Sequence, residues 1–267
     1  MGRIAEAFVR AREQERAALI IYLCAGDPDL DSTEALVLAA AEAGADAIEL
    51  GVPFSDPAAD GPAIQRASER ALAGGATLSK VLALVTRVRA RSAVPILLFG
   101  YYNPILAYGE ARFARDAAAA GADGALVVDL PPEEAAPLRD ALIGEGLDFV
   151  PLVAPTSGEA RQRLAAEAAT AFLYYVSMTG VTGAATTDLA ASARQASALA
   201  AAHGLPVALG FGVQTAQDVR DVGAHADGVV VGSAIVRVIE AAADRAEALA
   251  AVRELVAELA SGTRRDS

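Results

Sequence analysis

Residues 206–236, PVALGFGVQTAQDVRDVGAHADGVVVGSAIV, contain one complete strand–helix–strand unit and the start of the next. PVALGF (206–211) is a short apolar run, 214–223 reads as a helix stopped at Gly223-Ala224, and ADGVVVG (226–232) is a second apolar run. Runs that are apolar throughout, without alternation, suit parallel strands buried on both faces. The same pattern extends back along the chain. ALIIYLC (18–24), DAIEL (46–50), VPILLFGY (94–101), GALVVDL (124–130), LDFVPLVA (147–154) and TAFLYYVS (170–177) bring the number of runs to eight. Helices are expected between them at 30–43, 62–73 with 77–91, 110–120, 133–144, 158–168 and 188–203, and after the last run at 233–240 with 245–260. Gly44-Ala45-Asp46 and Gly121-Ala122-Asp123 end helices just before strands, as C-caps do. Strict alternation predicts a parallel sheet. Eight units without a break in composition favour a single closed (β/α)8 barrel, a TIM barrel occupying residues 1–267 as one domain, over an open doubly wound sheet. An extra N-terminal helix near 2–14 is expected to cap the barrel's bottom, a short extra helix follows the eighth run, and the tail TRRDS (263–267) is expected to fray.

Composition narrows the function. The 267 residues are 54% hydrophobic and 21% charged, enough for a large core. A net charge of −12 argues against a nucleic-acid surface, because nothing would offset phosphate repulsion. Cys24 is the only cysteine, and His203 and His225 are the only histidines, so neither a disulfide nor a Cys- or His-based metal centre is expected. The N-terminus lacks an apolar signal core, and no apolar run approaches the roughly 18 residues of a membrane span. The expectation is a soluble cytoplasmic protein.

In a barrel of this kind the chemistry sits where strands end and βα loops begin. The second run ends in Glu49-Leu50-Gly51 and leads into VPFSDPAADGPAIQRA (52–67). A carboxylate inside an apolar strand is costly unless it protonates or finds partners, so Glu49 is either a paired interior residue or a functional one. Asp56 and Asp60 follow in a Pro- and Gly-rich loop. Asp56 suits loop bracing, whereas Asp60 could be either a catalytic group or the N-cap of the helix near Pro62. Three later run ends are rich in glycine: TGVTGAATTD (179–188), long enough for a lid; Gly210-Phe211-Gly212-Val213; and Gly232-Ser233 at a helix start. Backbone N–H groups freed by glycine, together with a helix N-terminus, make a phosphate site that needs no Lys or Arg.

The stretch ELGVPFSDPAADGPAIQ (49–65) closely resembles the hallmark of the tryptophan synthase alpha subunit family. YLCAGDPD (22–29), GYYNPIL (100–106), VVDLPPEE (127–134), APTS (154–157), YYVSMTGVTGA (174–184), GFGV (210–213) and VVGSAIV (230–236) agree in order, so the similarity runs from about 17 to about 260. The resemblance implies retro-aldol cleavage of indole-3-glycerol phosphate to indole and glyceraldehyde 3-phosphate. It implies no cofactor in this chain, and a PLP-bearing beta subunit as partner in an alpha2beta2 assembly that carries indole on to tryptophan. Carried over by position, it makes Glu49 the general acid/base and Asp60 the group that stabilises positive charge by the indole N–H. It puts Gly183, Gly212, Gly232 and Ser233 in the phosphate cradle, and Thr182 in the lid that meets the catalytic Asp. Tyr22, Tyr101 and Tyr174 fall at the indole pocket or its rim, and Asp129 matches an acidic residue at the end of the fourth strand. Ile21, Tyr22 and Cys24 depart from the family's commonest Pro, Phe and Thr, which bears on the pocket's shape.

The chemistry suits such a pair. C3 of the indole must be protonated and the C3′ hydroxyl deprotonated, and one carboxyl between them can do both if burial raises its pKa. A second carboxylate, held ionised on a wetter loop, stabilises the cationic ring. Lys80, the only lysine, lies in a helix away from the strand ends, which disfavours a Schiff base. Two alternatives stay open at this stage: an isomerase or epimerase acting on a phosphorylated sugar, and a subunit whose main task is to bind and activate a partner.

Overall fold

The computed structural model describes residues 2–176 and 188–265. After α1 (Arg3–Glu13) come β1 (Ala18–Cys24), α2 (Leu30–Glu42), β2 (Ala47–Gly51), α3 (Pro62–Ala73), α4 (Leu78–Arg89) and β3 (Ile96–Gly100). The middle of the chain forms α5 (Tyr102–Tyr108), α6 (Glu110–Ala120), β4 (Gly124–Val127), α7 (Ala136–Gly144), β5 (Asp148–Phe149), β6 (Leu152–Val153), α8 (Glu159–Ala168) and β7 (Leu173–Val176). The last part forms α9 (Leu189–His203), β8 (Val207–Gly210), α10 (Ala216–Gly223), β9 (Gly228–Val231), α11 (Ser233–Ala241) and α12 (Arg245–Ser261).

The strand pairs are all parallel, in the order β5-β4-β3-β2-β1-β9-β8-β7-β6. The two ends of that order, β5 and β6, are successive halves of the run at 147–154. The Val150 N–H reaches the Ala125 carbonyl at 3.0 Å, and the Tyr174 N–H reaches the Pro151 carbonyl at 3.1 Å. The sheet therefore closes on itself as the eight-stranded barrel that the alternation predicts. Pro151 lacks an N–H, so the ladder breaks there and one run appears as two short strands.

Alternation along each strand separates two cores. On β1, Leu19, Ile21 and Leu23 face the helices, while Ile20, Tyr22 and Cys24 face the barrel interior. On β2, Ile48 and Leu50 belong to the outer layer, so Glu49 points inward, in register with Tyr22. α1 closes the bottom of the barrel with Ile4 and Phe8, and the Phe8 ring lies 5.0 Å from that of Phe172. The extra N-terminal helix thus has the capping position expected of it.

Two expectations need correction. The tail does not fray at its start. Thr263 is buried and its carbonyl accepts the Ala17 N–H at 3.0 Å, while the Arg265 guanidinium donates to the carbonyls of Gly223 (3.0 Å), the last residue of α10, and Ala226 (2.9 Å) just after it. A cation at a helix C-terminus meets the negative end of the dipole, which holds this segment down. The second correction is α5, which sequence patterning left unassigned. It is seven residues long, too short to show helical periodicity, and is held by the Asp129 carboxylate, which accepts the Tyr102 N–H at 2.8 Å. Among the described residues, no single helix is long and apolar enough to cross a membrane, and no group of His, Cys, Asp and Glu is placed to hold a metal ion.

Candidate active site

The tops of β1, β2, β3 and β7, and the segment after β2, bring Glu49, Asp60, Tyr22, Tyr101 and Tyr174 together. Each tyrosine hydroxyl lies within electrostatic reach of Asp60, and those of Tyr22 and Tyr174 also feel Glu49. Room for the rings comes from missing side chains: a methyl group on Gly51 would strike the Tyr22 phenol, and one on Gly210 would strike that of Tyr174. Gly210 thereby makes space for an aromatic ring, a role distinct from the phosphate loop to which its sequence position points.

Glu49 is 1% exposed, and its Oε1 is buried without a hydrogen-bond partner among the described residues. Burial pushes its pKa up to about 8, so the carboxyl carries its proton at neutral pH. Asp60 is also buried, at 6% exposure, which corrects the picture of a wetter loop. Burial raises its pKa to about 6, and the Tyr101 hydroxyl pulls the other way. Both carboxyls are displaced upward, Glu49 by more, so near pH 7 one is mostly protonated and the other mostly ionised. Asp60 does not cap α3. The N-cap is Gly61, which makes no side-chain cap bond, and Pro62 occupies the first turn. The Asp60 carbonyl is held by Gln65 Nε2 at 2.8 Å.

The remaining sequence candidates fall in three groups. Gly212 follows β8 at φ +87°, a left-handed conformation open to glycine, and Phe211 beside it is at φ +78°. Gly232 is the N-cap of α11 and Ser233 its first residue, with the Gly232 Cα close enough to Tyr22 that an added Cβ would sit 3.4 Å from the Tyr22 Cβ. These positions rim the same barrel mouth at the tops of β8 and β9. Asp129 lies at the rim and is exposed, capping α5 as described above. Thr182 and Gly183 lie outside the described residues.

Other contacts at the site were not picked out from sequence. Phe54 stacks on Tyr101 with centroids 5.1 Å apart, and Phe99 meets Tyr22 edge-on at 5.3 Å. Cys24 Sγ lies 3.8 Å from Ser68 Oγ, and burial pushes its thiol up to about 12, so it stays protonated. Arg70 on α3 binds Asp27 through two bonds (2.8 and 2.9 Å) and Glu240 of α11 at 2.7 Å. Arg66 also grips Glu240, through two bonds of 2.7 Å. Partners far apart in sequence leave no periodic signal, although the helical spacing of Arg66 and Arg70 is visible.

Comparison with known proteins agrees with this geometry. Residues 8–264 match the family described as "Tryptophan synthase alpha chain". The tryptophan synthase alpha chain of Geobacter sulfurreducens is 55% identical over 240 residues, covering 90% of this chain and 91% of that one. That of Desulfatibacillum aliphaticivorans is 48% identical over 264 residues, covering 99% and 100%. Among solved structures, a chain of Mycobacterium tuberculosis tryptophan synthase superposes with a TM-score of 0.89 at 39% identity, covering 99% of both chains. The tryptophan synthase alpha subunit of Legionella pneumophila does so with a TM-score of 0.89 at 38% identity, covering 98% of both.

Proposed function

Because the chain belongs to the tryptophan synthase alpha chain family, we propose that Glu49 and Asp60 perform that family's reaction here, the cleavage of indole-3-glycerol phosphate to indole and glyceraldehyde 3-phosphate. The enzyme is a carbon–carbon lyase of tryptophan biosynthesis. The observation that carries the residue assignment is the Glu49 carboxyl, buried at a strand end with Oε1 unpartnered among the described residues and its pKa raised to about 8. A fold tolerates such a group where its proton is used.

In this mechanism protonated Glu49 gives its proton to C3 of the indole ring, leaving a cationic ring nitrogen. Asp60, mostly ionised at neutral pH, stands opposite that nitrogen and stabilises the charge. The Glu49 carboxylate then takes the proton of the C3′ hydroxyl. The C3–C3′ bond breaks, its electron pair returns to the ring, and the C3′ oxygen becomes the aldehyde of glyceraldehyde 3-phosphate. Glu49 ends protonated, as it began. Gly212, Gly232 and Ser233, with Gly183, hold the phosphate through backbone N–H groups and the N-terminus of α11, which suits a chain of net charge −12. Tyr22, Tyr101 and Tyr174 wall the indole pocket and Asp129 orders the rim, while the family resemblance assigns Thr182, outside the described residues, to contact with Asp60.

A beta subunit is the partner of this family, and PLP belongs to that subunit. The finer reading is an alpha2beta2 assembly in the cytoplasm, with all of this chain working as one barrel domain that needs no cofactor of its own. Incubation with indole-3-glycerol phosphate should yield indole and glyceraldehyde 3-phosphate in equal amounts. Isomerised sugar phosphate without indole would overturn the assignment.

A further inference from the structure

Tyr101 differs from the other pocket tyrosines in what its hydroxyl holds. It accepts the Ala59 N–H at 2.9 Å, and a hydroxyl that accepts still has its own proton to give. The carboxyl of the next residue, Asp60, lies within its electrostatic reach. The ring is itself fixed: it is 4% exposed and lies against Phe54 from the same segment. Its backbone is pinned between the end of β3 and the start of α5, whose first N–H is capped by Asp129. One side chain therefore grips segment 54–60 at Phe54 and at the amide of Ala59, the residue just before Asp60.

We infer that Tyr101 is a positioning residue for Asp60, its ring and hydroxyl holding segment 54–60 so that the carboxylate faces the substrate ring. The inference rests on the reading of Asp60 as the group that stabilises the cationic ring. The titratable groups that face Asp60 are Tyr22 and Cys24 from β1, Tyr174 from β7 and Tyr101 itself; Glu49 of β2 shares the cluster through Tyr22 and Tyr174. All are acids, so none of them offers Asp60 a positive charge. Burial drives its pKa upward, and the Tyr101 hydroxyl opposes that.

Tyr101→Phe removes the hydroxyl and keeps the ring on Phe54. Its pH profile of kcat/KM should have an acid limb displaced to higher pH, with kcat at neutral pH down roughly tenfold, as for loss of one oriented charged contact, and KM little changed. A carbon-13 NMR titration of the Asp60 carboxyl in Tyr101→Phe should show its midpoint moved upward, independently of turnover. A titration and acid limb superimposable on those of the wild type would overturn the inference. Asp60→Asn, measured in parallel, separates the two levels. A wild-type acid limb in Asp60→Asn would remove Asp60 from the mechanism and the inference with it. An altered limb there, with a wild-type limb and titration in Tyr101→Phe, would overturn the inference alone.

Discussion

Glu49 combines a stability cost with a proposed chemical use, and the two can be measured separately. Its folded pKa of about 8 lies above the ordinary 4.5, so the folded state binds the extra proton between those values. Stability that is full below about 4.5 is therefore lost as pH rises through about 8. Glu49→Gln mimics the protonated form at every pH. Its stability advantage over the wild type in urea unfolding should grow from near zero below about pH 4.5 to several kcal/mol, on the order of 5, above about pH 8. A difference independent of pH would mean that Glu49 is not titrating as described. For Asp60→Asn, indole formation should fall by roughly a hundredfold or more, the scale of one preorganised electrostatic contact. Wild-type turnover would leave Asp60 a bystander. Glu49 was legible because a carboxylate in an apolar run is conspicuous. The burial of Asp60 was not: its loop is rich in Pro and Gly and reads as exposed, and it is the barrel closure, with Tyr101 folded onto the loop at Phe54 and Ala59, that buries it.

Elements are held together here by polar ties that sequence reading passed over. Arg70 joins α3, which follows the Asp60 segment, to Asp27 after β1 and to Glu240 on α11, whose first turn belongs to the proposed phosphate cradle. Asp27 is 2% exposed, so removing its guanidinium partner would leave a carboxylate in the interior. Breaking a buried pair in this way costs about 3 kcal/mol. Arg70→Ala should therefore lose about that much unfolding free energy in urea titration, whereas Arg66→Ala, which loses an exposed partner of Glu240, should change little. Equal effects from the two would contradict the distinction between buried and exposed pairs. The eight strand positions were readable because parallel strands buried on both faces carry continuous apolar runs. The break of one strand at Pro151 and the presence of α5 depend on single hydrogen bonds, which periodicity does not register.

At the scale of the whole molecule, closure of the barrel turns distant runs into neighbours. β1 lies between β2 and β9, so Tyr22, Glu49 and the Gly232 loop meet although they are far apart in the chain. That convergence could be foreseen once eight strand–helix units were counted, because a closed sheet has one end where all the βα loops gather. The roles within the gathering came from motif resemblance, and the packing that sets the pKa values came from the structure. The bottom is sealed by Ile4 and Phe8 of α1, which leaves the top as the open end of the barrel and the proposed entrance for substrate. The central claim is that this barrel cleaves indole-3-glycerol phosphate with the Glu49 proton. The most direct test is indole release from that substrate by Glu49→Gln, with glycerol 3-phosphate binding measured on the same sample. The account predicts no detectable indole from a protein that still binds the phosphate ligand with nearly wild-type affinity. Indole release at the wild-type rate would contradict it.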